Sequence, residues 1–184
     1  MDERLQRVFA LIDESFAGIQ RDEDSTLHQA QLCDHIGDRE ISDEEWTAAK
    51  LLDKETDWRD VPAHFLDECD AALSFTTPKS WHFYLPAYMK RALELRDTYP
   101  APYLPGSVIF RLTYNKKDLR SAGYTIERFA QLTPEQERAV VAFLEYFRFD
   151  ASPRNRYADD AQEALTNYWA LPPKEKPHLI EFPD

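Results

Sequence analysis

Apolar residues recur at every third or fourth position along much of the chain, and this spacing predicts amphipathic helices. The clearest helix start is at Thr133, which can cap a helix whose first residue is Pro134, with Gln136 completing a capping box. Ser42 and Glu45 form a second capping-box pattern. In chain order, the helical patterns cover residues 3–17, 26–35, 42–53, 60–73, 86–97, 133–147 and 157–170.

Two short segments have the composition of β-strands. Residues 81–85 are rich in aromatic residues, and in residues 108–114 apolar side chains recur at every second position. The two segments can pair in a small sheet. Between them, Pro86 is expected to open a helix, and three prolines are expected to exclude regular structure from residues 98–106. Residues 115–128 are predicted to be a basic, irregular segment.

These patterns predict a mainly α fold, a single compact multi-helix domain with a small two-stranded β insertion. The helical domain is expected to cover residues 1–170. A hydrophobic content of 43% in a chain of 184 residues is enough for a sizeable core. Residues 171–184 contain four prolines and are predicted to form an extended C-terminal tail.

The formal net charge of −12 is unevenly distributed along the chain. Residues 1–70 hold 20 acidic and 7 basic residues, a net charge of −13, whereas residues 71–128 hold 4 acidic and 9 basic residues, a net charge of +5. The overall charge argues against nucleic acids and anionic membranes as partners, since both require a basic surface. The asymmetry either serves packing within the fold or presents an acidic face to a basic partner.

Targeting and redox features indicate a cytoplasmic protein. No apolar run reaches the ~18 residues that a membrane-spanning helix requires, and the acidic N-terminus lacks the basic start of a secretory signal. The two cysteines, Cys33 and Cys69, are too few for a disulfide framework and are expected to stay reduced.

Common catalytic and cofactor motifs are absent from the sequence. The four glycines form neither a phosphate-binding loop nor a dinucleotide fingerprint, and there is no Gly-x-Ser-x-Gly motif. The sequence therefore indicates no cofactor and no catalytic residue, and it favours a non-enzymatic protein.

A metal site has weak support from residues of ligating type on two short segments. These residues are His28, Cys33, His35, His64 and Cys69. Two pairs lie five positions apart, whereas ligands on one helical face lie four apart, and structural zinc sites usually contain tighter pairs. We favour the interpretation in which Cys69 is a core residue and the histidines are surface or capping residues.

The densest aromatic segment, residues 81–89, is expected either to build the core or to form a binding surface. Large aromatic side chains are mostly buried, which favours the core for most of the segment. The alternative is a pocket for a ligand or partner, because tyrosine and tryptophan dominate interface hot spots. Its candidate lining residues are Trp58, Tyr84, Tyr88 and Trp169.

The same segment carries a resemblance to a known family. Residues 83–89 (FYLPAYM) and 132–136 (LTPEQ), with 57–62 and 164–169, resemble segments of an uncharacterised bacterial family, domain of unknown function 6714, in order and rough spacing. The resemblance spans about residues 3–170. It implies a compact, largely helical, cytoplasmic bacterial protein, and it brings no activity or catalytic residue.

The leading functional hypothesis is a non-enzymatic protein-interaction protein, specifically an acidic immunity or antitoxin-type inhibitor of a basic partner. Charge can steer a small acidic protein onto such a partner. The candidate partner-binding residues are Asp22, Glu23, Asp24, Asp38, Glu40, Asp43, Glu44 and Glu45. The alternatives are a metal-binding enzyme and a small-molecule-binding module.

Overall fold

Nine α-helices form the part of the chain that the structure, a computed structural model, describes. It describes residues 2–23, 25–35, 40–117, 119–152 and 154–177, with His35, Leu119 and Arg120 by their backbone alone. The helices are α1 Glu3–Ser15, α2 Leu27–His35, α3 Asp43–Lys50, α4 Ala63–Glu68, α5 Pro78–Leu95, α6 Leu104–Arg111, α7 Leu119–Phe129, α8 Pro134–Phe149 and α9 Ala158–Ala164. Single turns of 3₁₀-helix lie at Trp58–Asp60, Ala72–Ser74 and Pro173–Glu175, and α9 continues as a π-helical turn at Leu165–Trp169.

Helix α5 is the centre of the fold, and it contains the aromatic segment that the sequence predicts to be a strand. The Thr77 hydroxyl oxygen accepts a hydrogen bond from the Ser80 N–H at 3.2 Å and caps the helix, and Pro78 is the first helical residue. Every side chain in residues 80–89 except that of His82 is buried. Because a helix buried on all sides shows no polar stripe, its short apolar run looks like a buried strand. The strand prediction for residues 81–85 is wrong for this reason.

Two predictions made from prolines are also wrong. The sequence predicts that Pro86 opens a helix, but Pro86 lies inside α5, where it is buried by the surrounding core. The sequence also predicts no regular structure over residues 98–106, whereas α6 begins at Leu104 with Pro105 in its first turn. A proline is tolerated there because the first N–H groups of a helix have no helical partner.

Helix α6 takes the place of the second predicted strand. Val108, Ile109 and Leu112 are buried, which is a helical spacing, whereas Phe110 is 64% exposed. Alternating apolar residues in 108–114 are thus compatible with both structures, and packing against the core selects the helix. The part of the chain that the structure describes contains no β-strand, so the predicted two-stranded insertion is wrong.

Helix α7 corrects the prediction that residues 115–128 are irregular. Its buried residues Ala122, Ile126 and Phe129 recur at helical spacing, and its other positions are mainly polar or charged. This apolar stripe is narrow, and the many basic and polar residues around it make the helical periodicity difficult to detect in the sequence.

The helices with clear start signals lie where the sequence predicts them. Both predicted capping boxes are present, at Ser42 for α3 and at Thr133 for α8. The stripe of α8, predicted to be buried, is buried at Ala139, Val140, Phe143, Leu144 and Phe147.

The helices pack around one connected hydrophobic cluster. α1 packs against α8, α8 against α9, and α5 contacts α1, α4, α6 and α7. α2 packs against α3 and against the 3₁₀ turn Ala72–Ser74. Among the described residues, no helix combines the length and the apolar character that crossing a membrane would require.

Candidate functional site

A cleft lies where α6, α7 and α9 approach the turn that leads into α5. Its volume is about 1230 Å³, and it is open to solvent. The walls come from four places: the segment 74–78 before α5, the outward side of α6 with the loop 113–117, the outward side of α7, and the end of α9. We call this feature the cleft.

Exposed aromatic rings form the rim of the cleft. Tyr103 is 70% exposed, Phe110 and Tyr124 are each 64% exposed, and Phe75 is 43% exposed. Phe110 points outward because Val108, Ile109 and Leu112 already fill the buried side of α6. Exposed aromatic rings gathered at one concave surface are typical of binding sites.

Arg128 is a cation of the cleft that is held by two hydrogen bonds. Its Nη2 donates hydrogen bonds to the carbonyl oxygens of Ser74, at 2.8 Å, and Thr76, at 2.9 Å. These bonds fix the guanidinium against the turn before α5 and occupy only one of its three nitrogens. Burial, followed by the positive charge of Arg111, lowers the pKa of Arg128 to about 10.

Arg111 is the second half-buried cation of the cleft. Its guanidinium carbon lies 4.8 Å from the centre of the Phe110 ring. Burial lowers its pKa. Its Nε is buried and has no hydrogen-bond partner among the described residues, and the same holds for the hydroxyl oxygen of Ser74 on the facing segment. The cleft therefore contains buried polar atoms that the described part of the protein leaves unsatisfied.

The remaining charged residues of the cleft are of both signs. Lys116 and Lys117 are exposed on the loop between α6 and α7, and they add positive charge beside the two arginines. Glu127 on α7, next to Arg128 in the sequence, and Asp160 and Glu163 on α9 also line the cleft. The cleft thus contains four cations and three carboxylates.

The structure buries the four aromatic residues proposed to line a pocket. Trp58, Tyr84, Tyr88 and Trp169 are each at most 4% exposed, and none of them lines the cleft. Their polar atoms bind backbone groups, as with Trp58 Nε1, which donates to the Phe16 carbonyl at 2.8 Å, and Trp169 Nε1, which donates to the Leu112 carbonyl at 2.7 Å. These rings hold helices together through the core rather than meeting around one cavity.

The two tyrosines of this set bridge other segments in the same way. The Tyr84 hydroxyl oxygen accepts a hydrogen bond from the Leu27 N–H at 3.2 Å, which fixes the start of α2. The Tyr88 hydroxyl donates to the Cys69 carbonyl oxygen at the end of α4. Burial raises the pKa of both tyrosines, so each hydroxyl keeps its proton near neutral pH.

Of the candidate metal ligands, His28 and Cys69 lie next to each other, whereas Cys33 and His64 are engaged in separate structural contacts. The Nδ1 atom of His28 lies 2.7 Å from Oδ1 of buried Asp53, a residue that was not among the predicted ligands. This hydrogen bond, with a weaker contribution from Cys69, raises the pKa of His28 to about 10. The Cys33 thiol donates to the Gln29 carbonyl at 3.6 Å, and the His64 ring stacks edge-on against Phe65. The His35 side chain lies outside the described residues.

Residues that could together hold a metal ion are not grouped in the described ranges. No cluster of three or more histidine, cysteine, aspartate or glutamate side chains is found there with suitable geometry. The pairing of His28 with Asp53 explains why a histidine lies in that position.

The candidate acidic residues are partly used by the fold. The Asp22 carboxylate accepts a hydrogen bond from the Thr77 hydroxyl at 2.9 Å, and Glu45 completes the capping box of α3. Asp43 and Glu44 lie in the first turn of α3, where negative charge stabilises a helix. Glu23 and Glu40 are exposed, and Asp24 and Asp38 lie outside the described residues.

Sequence reasoning did not identify the residues of the cleft. The one signal in the sequence was the net charge of +5 over residues 71–128, because four of the nine basic residues of that segment, Arg111, Lys116, Lys117 and Arg128, line the cleft. Because residues 115–128 were predicted to be irregular, Tyr124 and Arg128 could not be placed on one outward helical face. Phe110 was likewise predicted to lie on the same face of a strand as Leu112.

Comparisons with known proteins identify a family and no characterised relative. A family model described as "Family of unknown function (DUF6714)" matches residues 4–172. No curated protein and no solved structure matches the chain.

Proposed function

The chain belongs to DUF6714, a family of unknown function, and we propose from the geometry of the cleft that the protein is a non-enzymatic interaction protein. In this proposal the cleft binds an acidic, aromatic-containing segment of a partner protein. The observation that carries it is the convergence of four exposed aromatic rings and four cations on one concave surface of a chain whose net charge is −12.

The size and composition of the cleft favour a protein segment over a small molecule. Its volume of about 1230 Å³ exceeds the roughly 300–1,000 Å³ of pockets that enclose small ligands. Aromatic residues and arginine are the residue types most enriched at interface hot spots, and here they are exposed rather than enclosed.

The charges of the cleft select an acidic segment. Lys116, Lys117, Arg111 and Arg128 attract carboxylates. A continuous phosphate backbone fits less well, because its unbroken negative charge would pass Asp160 and Glu163 on α9, whereas a protein segment can place uncharged residues beside them. The immunity-type hypothesis, with its basic partner and acidic docking face, stays a prediction.

A binding experiment with designed peptides tests the proposal. Fluorescence polarisation would compare a labelled peptide of alternating acidic and aromatic residues with one in which each acidic residue is replaced by lysine. We expect micromolar binding of the acidic peptide that weakens with salt, and at least tenfold weaker binding of the basic peptide.

A matched pair of variants places the binding in the cleft. Tyr124→Ala removes an exposed ring of the rim, and Tyr99→Ala removes a ring that is 83% exposed and outside the cleft. We expect Tyr124→Ala to weaken binding about tenfold, as for a hot-spot ring, and Tyr99→Ala to leave it unchanged. Equal binding of both peptides, or equal loss in both variants, would contradict the proposal.

A further inference from the structure

Two arginines that line the cleft, Arg111 and Arg128, form no ion pair with a described carboxylate. Arg111 and Arg128 lie close enough for the charge of one to lower the pKa of the other. Both side chains are half-buried, so water screens their repulsion less than on an open surface. Two neighbouring cations in such a place are stabilised by an anion that contacts both.

No described carboxylate forms an ion pair with either guanidinium; burial lowers the pKa of both more than the charges of Asp34 on Arg111 and of Glu127 on Arg128 raise it. The chain has 34 acidic residues against 22 lysines and arginines, and several described arginines elsewhere, among them Arg59, Arg91 and Arg138, do pair with carboxylates within 4 Å. Within the described ranges, Arg111 and Arg128 form no such pair, and the bonds of Arg128 go to carbonyl oxygens instead. Neither guanidinium is therefore neutralised by direct contact with a described carboxylate, and an anionic ligand can take that place.

Three residues that line the cleft have hydrogen-bond donors without an acceptor among the described residues. Arg128 has Nε and Nη1 beyond the nitrogen that binds Ser74 and Thr76. Arg111 Nε and the Ser74 hydroxyl are buried and have no partner among the described residues. Buried donors without acceptors are costly, and an oxyanion at this point would satisfy several of them together.

We propose that Arg111, Arg128 and Ser74 form a subsite for the phosphoryl group of a phosphate monoester. A carboxylate has one charge and two oxygens, and one guanidinium satisfies it. A phosphoryl group has nearly two negative charges and three acceptor oxygens, which match two guanidiniums and a hydroxyl. The subsite deepens the proposed function, because a phosphorylated side chain on the partner segment would place its phosphoryl group here; a free phosphate ester is the second source of the same chemistry.

The test uses the full chain and three versions of the acidic peptide, with serine, glutamate or phosphoserine at one central position. We expect the phosphoserine peptide to bind at least tenfold more tightly than the glutamate peptide. Arg111→Gln should reduce this preference to less than twofold. The control Arg148→Gln removes one exposed positive charge outside the cleft and should keep the preference.

Two further variants keep the test decisive if Arg111→Gln does not fold. Arg111→Lys keeps the charge and loses the planar guanidinium, so the preference should fall several-fold. Ser74→Ala removes only the hydroxyl, and we expect a loss of about threefold. A preference that is retained in all folded cleft variants would overturn the subsite.

Binding of the peptides and binding of inorganic phosphate together show whether the subsite or the proposed function is wrong. If the serine and glutamate peptides bind and phosphoserine gives no gain, the subsite is overturned and the proposed function stands. If no peptide binds, but inorganic phosphate causes saturable, Arg111-dependent NMR shifts that acetate at equal ionic strength does not cause, the subsite stands for a free phosphate ester and the proposed function fails. If neither binds, both are overturned.

Discussion

The acidic N-terminal region and the basic residues of the cleft differ in the sign of their charge and in whether those charges form ion pairs within the fold. In the N-terminal region, Asp53 pairs with His28, Asp13 with Lys90 and Asp67 with Arg91. In the cleft, the cations form no ion pair with a described residue, and exposed aromatic rings lie beside them. A surplus of one charge sign therefore does not by itself indicate an interaction surface. Charged groups that have no ion-pair partner within the fold are the better indicator.

The largest expected effect comes from the buried acidic residue of the N-terminal region. Asp53→Ala should lower the free energy of unfolding by about 4 kcal/mol, because it leaves both His28 and the start of α2 without their partner. Urea denaturation measures this change. Glu44→Gln, at an exposed position, should change the free energy of unfolding by no more than about 0.5 kcal/mol. Equal changes in the two variants would mean that Asp53 contributes no more to stability than the exposed Glu44 does.

The pH dependence of stability should follow the same ion pair. The hydrogen bond to Asp53 raises the pKa of His28 from 6.5 to about 10 in the folded protein, so folding favours the protonated ring. The stabilisation is complete below pH 6.5 and is lost as the pH rises toward 10. Denaturation between pH 6 and 10 should show this fall, and the His28→Gln variant should show a flatter profile. An identical profile in His28→Gln would exclude His28 as its cause.

Charge reversal separates the two regions in binding. Replacing Lys116 and Lys117 by glutamate should weaken binding of the acidic peptide about tenfold, equivalent to about 1.4 kcal/mol. Replacing Glu40 and Glu44 by lysine should change it by less than about twofold, because these residues lie outside the cleft and salt screens distant charges. Binding of a basic peptide that depends only on Glu40 and Glu44 would instead support the acidic docking face.

Local signals made part of the fold predictable from the sequence. The capping boxes at Ser42 and Thr133 specify where a helix starts, whatever packs against it. Helix α5 has no such clear pattern, because its burial on all sides removes the contrast between polar and apolar positions. Its helical state depends on neighbours that are distant in sequence, and residues 81–85 alone could not show it.

The cleft could not be predicted for the same reason. Its rim combines Phe75, Phe110 and Tyr124, which are distant in sequence and meet only after α5, α6 and α7 have packed. In the N-terminal region, the sequence predicts acidic partner-binding residues, although two of them, Asp22 and Glu45, already bind groups in the fold. The net charge of each segment identifies one acidic and one basic region of the sequence. The contacts in the structure are needed to tell which of the two has charges without partners.

The smallest expected effect tests the helix on which the cleft depends. Gly123 lies inside α7, and a Cβ atom added there meets no atom within 4 Å. Gly123→Ala should therefore stabilise the protein by about 0.5–1 kcal/mol, since alanine loses less backbone entropy in a helix, and should leave peptide affinity unchanged. Gly18→Ala is the matched control: Gly18 has a φ of 75°, so alanine there should destabilise. If residues 115–128 were irregular, as their sequence suggests, Gly123→Ala would not increase the free energy of unfolding. Tyr124 and Arg128 would then not lie on one helix, and the cleft would lack the wall that α7 provides.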